Sequence, residues 1–141
     1  MSAQITASFS FDSWDETEVL DVEGARIVRT AFVKTFTGEL SATGRGEMVM
    51  AHASPGSAAY AGYEWVEGSL AGRTGAFVLR HNAVMAEGLG SSEVVVLAGS
   101  GTGDFTGLSG RASIERLDDG SHTFHLDYDL GSGDPEPTEP A

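Results

Sequence analysis

The chain contains no cysteine. That one absence removes disulfides, thiolate metal ligands and a cysteine nucleophile. Basic residues are also scarce. Eight lysines and arginines stand against 21 aspartates and glutamates, for a formal charge of −13 and a pI near 4.4. Nucleic acid and anionic membrane both require a basic surface, so neither is expected as a partner. The same charge serves solubility. No apolar run approaches the ~20 residues of a membrane-spanning helix. The opening MSAQITASFSFD has neither the basic nor the apolar region of a signal peptide, so a cytoplasmic location is expected.

Several motifs are missing too. GSGTGDFTG, residues 99–107, lacks the third glycine of a dinucleotide fingerprint, and no helix follows it. There is no Gly-Lys-Ser/Thr phosphate loop. No Ser-His-Asp set stands out. Neither a lipocalin Gly-x-Trp near the start nor a cupin-type His-x-His is present.

What is present is glycine, 19 of them, and repeated two-residue alternation. Both point to an all-β domain. Ile5, Ala7, Phe9 and Phe11 share one face of a first strand over residues 3–12. The acidic segment Trp14–Gly24 breaks the alternation and reads as a loop with some local order, a short amphipathic helix being the lesser alternative. A second strand is expected over residues 25–36, a turn at Thr37-Gly38, and a third strand over 39–52. Its even positions, including Met48, Met50 and His52, form the inner face. Ser54-Pro55-Gly56-Ser57 reads as a turn. The fourth and fifth strands lie in Tyr60–His81, joined at Ala71-Gly72. A turn at Gly88 leads to a sixth strand over 92–97, the loop 99–107 follows, and a seventh strand covers 110–117. Asp118-Asp119-Gly120 is a hairpin signal, and the eighth strand covers 121–130. The acidic, Pro-rich residues 131–141 are expected as a disordered tail after a single barrel domain, 1–130. Eight strands with short connections suit an antiparallel up-and-down barrel of the lipocalin-like kind. A sandwich is the alternative.

The stretches YAGYEWVEGSLAGRTGAFVLRH, SGTGDFTGLSGRASI and HTFHLDYDL resemble a bacterial family known as a domain of unknown function. Its barrel is described as similar to allene oxide cyclase. The likeness runs from the first strand to Leu130. It implies an eight-stranded antiparallel barrel and no established activity. By analogy alone, the cyclases of that barrel class suggest cyclisation or isomerisation of an apolar ligand. No catalytic motif of allene oxide cyclase maps onto these residues.

Turn geometry then assigns faces. A two-residue turn at Ala71-Gly72 pairs Leu70 with Arg73, Val66 with Phe77, Glu64 with Leu79, and Gly62 with His81. Paired residues share a face. Tyr60, Glu64, Val66, Phe77, Leu79 and His81 are set inward, because Glu67 and Arg80 on the other face would be costly inside. Trp65 and Val78 then face out, where they could form a homo-oligomer contact. In the last hairpin Arg116 faces His122, and His122, Phe124, Leu126 and Tyr128 point inward. His52, Tyr60, His81, Arg116 and His122 are expected at one mouth of the barrel, with Glu64 below. The 99–107 loop would cap the other end.

These residues define the candidate site. Glu64, His81 and Tyr60 are the catalytic candidates, for proton transfer and polarisation. Met48, Met50, His52, Phe77, Arg116, His122 and Phe124 are the ligand-binding candidates. Glu64 could instead pair with Arg29 or Arg116. A metal set of His52, His81 and His122 is chemically possible. No ligand spacing supports it, and neither metal nor cofactor is expected. The expected partner is a small apolar or amphipathic molecule held in the bore. A non-catalytic carrier, or a solidly packed barrel acting through oligomerisation, are the alternatives.

Overall fold

A computed structural model describes residues 2–53 and 56–131. The expected disordered tail, Gly131 apart, and half of the Pro-Gly turn lie outside the described residues. The described residues form nine strands: β1 Ala3–Val22, β2 Ala25–Gly38, β3 Leu40–Ala53, β4 Ser57–Leu70, β5 Arg73–Ala86, β6 Leu89–Val96, β7 Thr102–Gly103, β8 Ser109–Arg116 and β9 His122–Asp129. Each long strand pairs antiparallel with its neighbours in the chain. β9 returns to β1, so eight strands close a barrel. The two-residue β7 adds to the edge of β5 at Gly75 and Ala76. The described residues include no helix, and so none that could cross a membrane.

Alternation builds the interior. β2 buries Val28, Thr30, Phe32, Lys34 and Phe36, every second residue. The two-residue turn at Ala71-Gly72, with both residues at positive φ, sets the β4–β5 register. Leu70 pairs with Arg73, Val66 with Phe77 and Glu64 with Leu79, as the turn chemistry predicts. Arg116 likewise pairs with His122.

Two expectations about strands are corrected. The 99–107 loop contains the short β7. Trp14–Gly24 is strand and turn rather than loop. β1 runs on to Val22, and Glu23-Gly24 turns it into β2. Two irregularities, after Phe11 and after Glu18, shift its register. Beyond Phe9 this strand pairs with β2 alone. Both of its faces are therefore largely in water, and apolar alternation is not needed there.

The core fills one end of the barrel. Phe36, Leu40, Val66, Leu70, Phe77, Phe124 and Leu126 pack into a single cluster. The loop after β6 closes that end: Phe105 and Leu108 are buried, and Phe105 meets Phe77 edge-on at 5.6 Å. At the other end β1 to β5 run on past the core, and the β6–β8 seam holds only two residue pairs.

Candidate functional site

Between the packed end and the open end lies a buried charged layer. Lys34 on β2, Glu64 on β4 and His81 on β5 are each at most 2% exposed. The Lys34 ammonium donates to Glu64 Oε1 at 3.1 Å. His81 Nε2 lies 2.8 Å from the same oxygen. A carboxylate only accepts, so this nitrogen carries the proton it shares. Glu64 Oε2 is buried and has no hydrogen-bond partner among the described residues.

Backbone shape makes room for this arrangement. Gly44 lies directly across from Lys34, and Gly46 across from Glu64. A Cβ on Gly44 would overlap Glu64 Oε2. The bare β3 wall therefore lets the carboxylate lie flat between strands β2 and β4. Four aromatic rings surround the ammonium. Phe9 is the nearest, with its centroid 4.1 Å from Nζ, and Phe11, Phe32 and Phe36 lie at 5.4–5.6 Å. Ring faces attract a desolvated cation by roughly 0.5–2 kcal/mol each. His122 stacks on Phe9, with ring centroids 4.8 Å apart.

The electrostatics follow from burial and pairing. Burial pushes the Lys34 ammonium below the usual lysine range, and the Glu64 charge and hydrogen bond oppose it. For Glu64, burial pushes the carboxyl upward. The His81 hydrogen bond and the Lys34 charge outweigh that, and the group sits below its ordinary value. Burial, then the charges of Arg116 and Lys34, lowers the His122 imidazole. Burial raises the Tyr60 phenol.

Above this layer opens a mostly apolar cavity of about 400 Å³, lined by residues that include Met50, Ala58, Tyr60, Ala83, Met85 and Ser92. Ala83 is the next inward residue after His81, so the cavity begins one step, roughly 7 Å, beyond the imidazole. Glu64, His81 and Lys34 do not line it. The bore is thus filled below the charged layer and open above it.

The expected site residues divide accordingly. Tyr60 and Met50 line the cavity. Glu64 and His81 sit in the sealed layer. Met48 is buried opposite Gly62. Phe77 and Phe124 belong to the packed core, away from the mouth. His52 and Arg116 are exposed. Of the expected mouth of His52, Tyr60, His81, Arg116 and His122, Tyr60 lines the cavity, His81 is sealed below it, and His52 and Arg116 are exposed; among the described residues no group of three His, Asp or Glu side chains could hold a metal. Glu64 pairs with Lys34, not with Arg29 or Arg116; Arg29 reaches Glu47 instead. Trp65 faces out, 38% exposed, with the Arg45 guanidinium 5.2 Å over its ring.

Lys34 is the residue that sequence reasoning missed. Two signals pointed to it. It is the only lysine in the chain, and it falls in the same alternating row as Phe32 and Phe36.

Comparison with known proteins gives a family and no activity. No curated protein matches the chain. The crystal structure of a protein with unknown function from the DUF3224 family, from Shewanella oneidensis MR-1, superposes with a TM-score of 0.82 at 34% identity. The match covers 91% of this chain and 97% of that one. A family model described as "Protein of unknown function (DUF3224)" matches residues 5–128. A family model spanning nearly all of the barrel, and a relative sharing a third of its residues, make this chain a member of the DUF3224 family.

Proposed function

We propose that the barrel binds a small, predominantly apolar molecule at its open end. The observation that carries this reading is the cavity of about 400 Å³, walled by Met50, Tyr60, Ala83 and Met85, with the buried charged layer one inward step below it. Its size and lining fit a compact ligand with few polar groups. Tyr60, Ser91 and Ser92 supply the hydroxyls of the lining. The net charge of −13 favours a neutral or cationic ligand over an anion. A cytoplasmic location is part of this proposal.

The neutral fluorophore Nile red serves as the probe. Saturable binding with a Kd of about micromolar order is expected. Ala83→Trp fills the cavity and should weaken binding at least about tenfold while the fold melts cooperatively as before. Binding that is absent, or indifferent to Ala83→Trp, would end the proposal.

A second reading adds catalysis, as a cyclase or isomerase. It is favoured by one observation: a buried carboxylate with a free oxygen, hydrogen-bonded to an imidazole and next to an amine. Such a set can take and return a proton within one site. Because the cavity stops short of it, this reading needs the ligand to reach past Ala83. Native mass spectrometry of protein from its own host would identify a retained molecule. Turnover of that molecule by Glu64→Gln at the wild-type rate would leave only the binding role.

A further inference from the structure

Among the described residues three strand edges stand open at the open end of the barrel, and they differ in kind; the β8 edge beyond Ala112 carries Glu115 and Arg116. β1 pairs with β9 only as far as Phe9, so Ser10–Val22 presents one open edge. β6 meets β8 only at Val94 and Val95, so Leu89–Glu93 presents another. Open edges invite another strand, and proteins guard them with charge, bulges or proline. The β1 edge is guarded twice over: its segment contains Asp12, Asp15, Glu16, Glu18 and Asp21, and two register irregularities break its line. The β6 edge carries no charge from Leu89 to Ser92. It has no proline and no register break. Leu89 is 78% exposed beside it, and Met85 and Val84 on β5 are more than half exposed.

We propose that the β6 edge is the contact between two copies of this chain, paired antiparallel about Ser91. A second copy fits for three reasons. The edge is complementary to itself: a two-fold axis at Ser91 sets Gly90 against Ser92 and Leu89 against Glu93, with small side chains where the backbones approach. The one charge at its end is already neutralised, since Glu93 is held by Arg80 at 3.2 Å and by Arg111 at 3.6 Å. Pairing also brings the exposed Leu89 of each copy, on the face that Val84 shares, against the added strand. The outward Trp65 is the weaker contact by comparison, because Arg45 already lies over its ring. The same β6 segment borders the open-end cavity. The dimer therefore shields that cavity on its β6 side, whatever the cavity holds.

The absence of cysteine makes the test clean. Paired Cα atoms in an antiparallel ladder are about 4.5–5.5 Å apart, within the span of a disulfide. Single cysteines at Leu89, Ser91, Glu93 and Trp65 are oxidised in the full chain and resolved without reductant. Ser91→Cys should give covalent dimer fastest, with the other positions slower. Sedimentation should show wild-type dimer, tightening as salt rises to about 0.5 M because the two acidic chains repel. Ser91→Lys, which sets two charges against each other on the axis, should weaken it at least about tenfold. A wild-type monomer at every concentration and salt overturns the proposal. So does Trp65→Cys cross-linking faster than Ser91→Cys, or a dimer indifferent to Ser91→Lys.

Discussion

The two ends of this barrel solve the same closure problem differently. At one end large side chains fill the bore: Phe36, Leu40, Leu70, Phe77 and Phe124 meet, and Phe105 and Leu108 cap them from the loop after β6. At the other end strands outrun the core, one seam parts, and alanine, serine and methionine line a cavity. An eight-stranded barrel is just wide enough for either outcome. Side-chain volume decides between them, and the Lys34–Glu64–His81 layer marks the boundary. Stability belongs to the packed half of the sheet, and the binding proposed above would belong to the other.

That division can be broken at three points. The largest effect is expected at the packed end. Phe77→Ala removes a fully buried ring from the cluster and should lower unfolding stability by about 3–5 kcal/mol in urea titration. Met85→Ala, more than half exposed at the open end, should change it by under about 0.5 kcal/mol. Similar losses at both sites would refute the division into halves.

Next is the boundary itself. A methyl at Gly44 overlaps the Glu64 carboxylate, so Gly44→Ala should cost about 1–3 kcal/mol through overpacking. In a Glu64→Gln background the loss should shrink only if the strain arises from the paired carboxylate rather than from volume. A double-mutant cycle separates the two.

The smallest effect is in pH dependence. The Glu64 carboxyl sits below its ordinary value of 4.5 in the folded chain. The unfolded chain then binds the more protons as pH falls, so this contribution is present above about pH 4.5 and lost as pH drops through the folded value. Wild type should therefore lose stability in acid more steeply than Glu64→Gln. Parallel curves would mean that the layer is not a charged boundary.

The site was partly legible in the sequence. Ala71-Gly72 is a two-residue turn, and such a turn fixes register, so the inward placement of Glu64 and His81 followed from counting. Lys34 resisted the same counting. Its alternation with Phe32 and Phe36 put it inside, but a buried ammonium is plausible only with a known partner. That partner, Glu64, lies two strands away across Gly44, a proximity that arises only once β2, β3 and β4 are in register. Trp14–Val22 misled for the opposite reason. A strand paired on one side and wet on both faces needs no apolar pattern, so it carries none.

By itself the sequence determined the all-β class, the strand count of the barrel and two hairpin registers, because alternation and turn chemistry are local. Only the tertiary structure decided which end of the bore is filled, that Lys34 and His81 share one oxygen of Glu64, and that β6 is left with an open edge. Each of these depends on distances between strands far apart in the chain, and no local pattern encodes such distances.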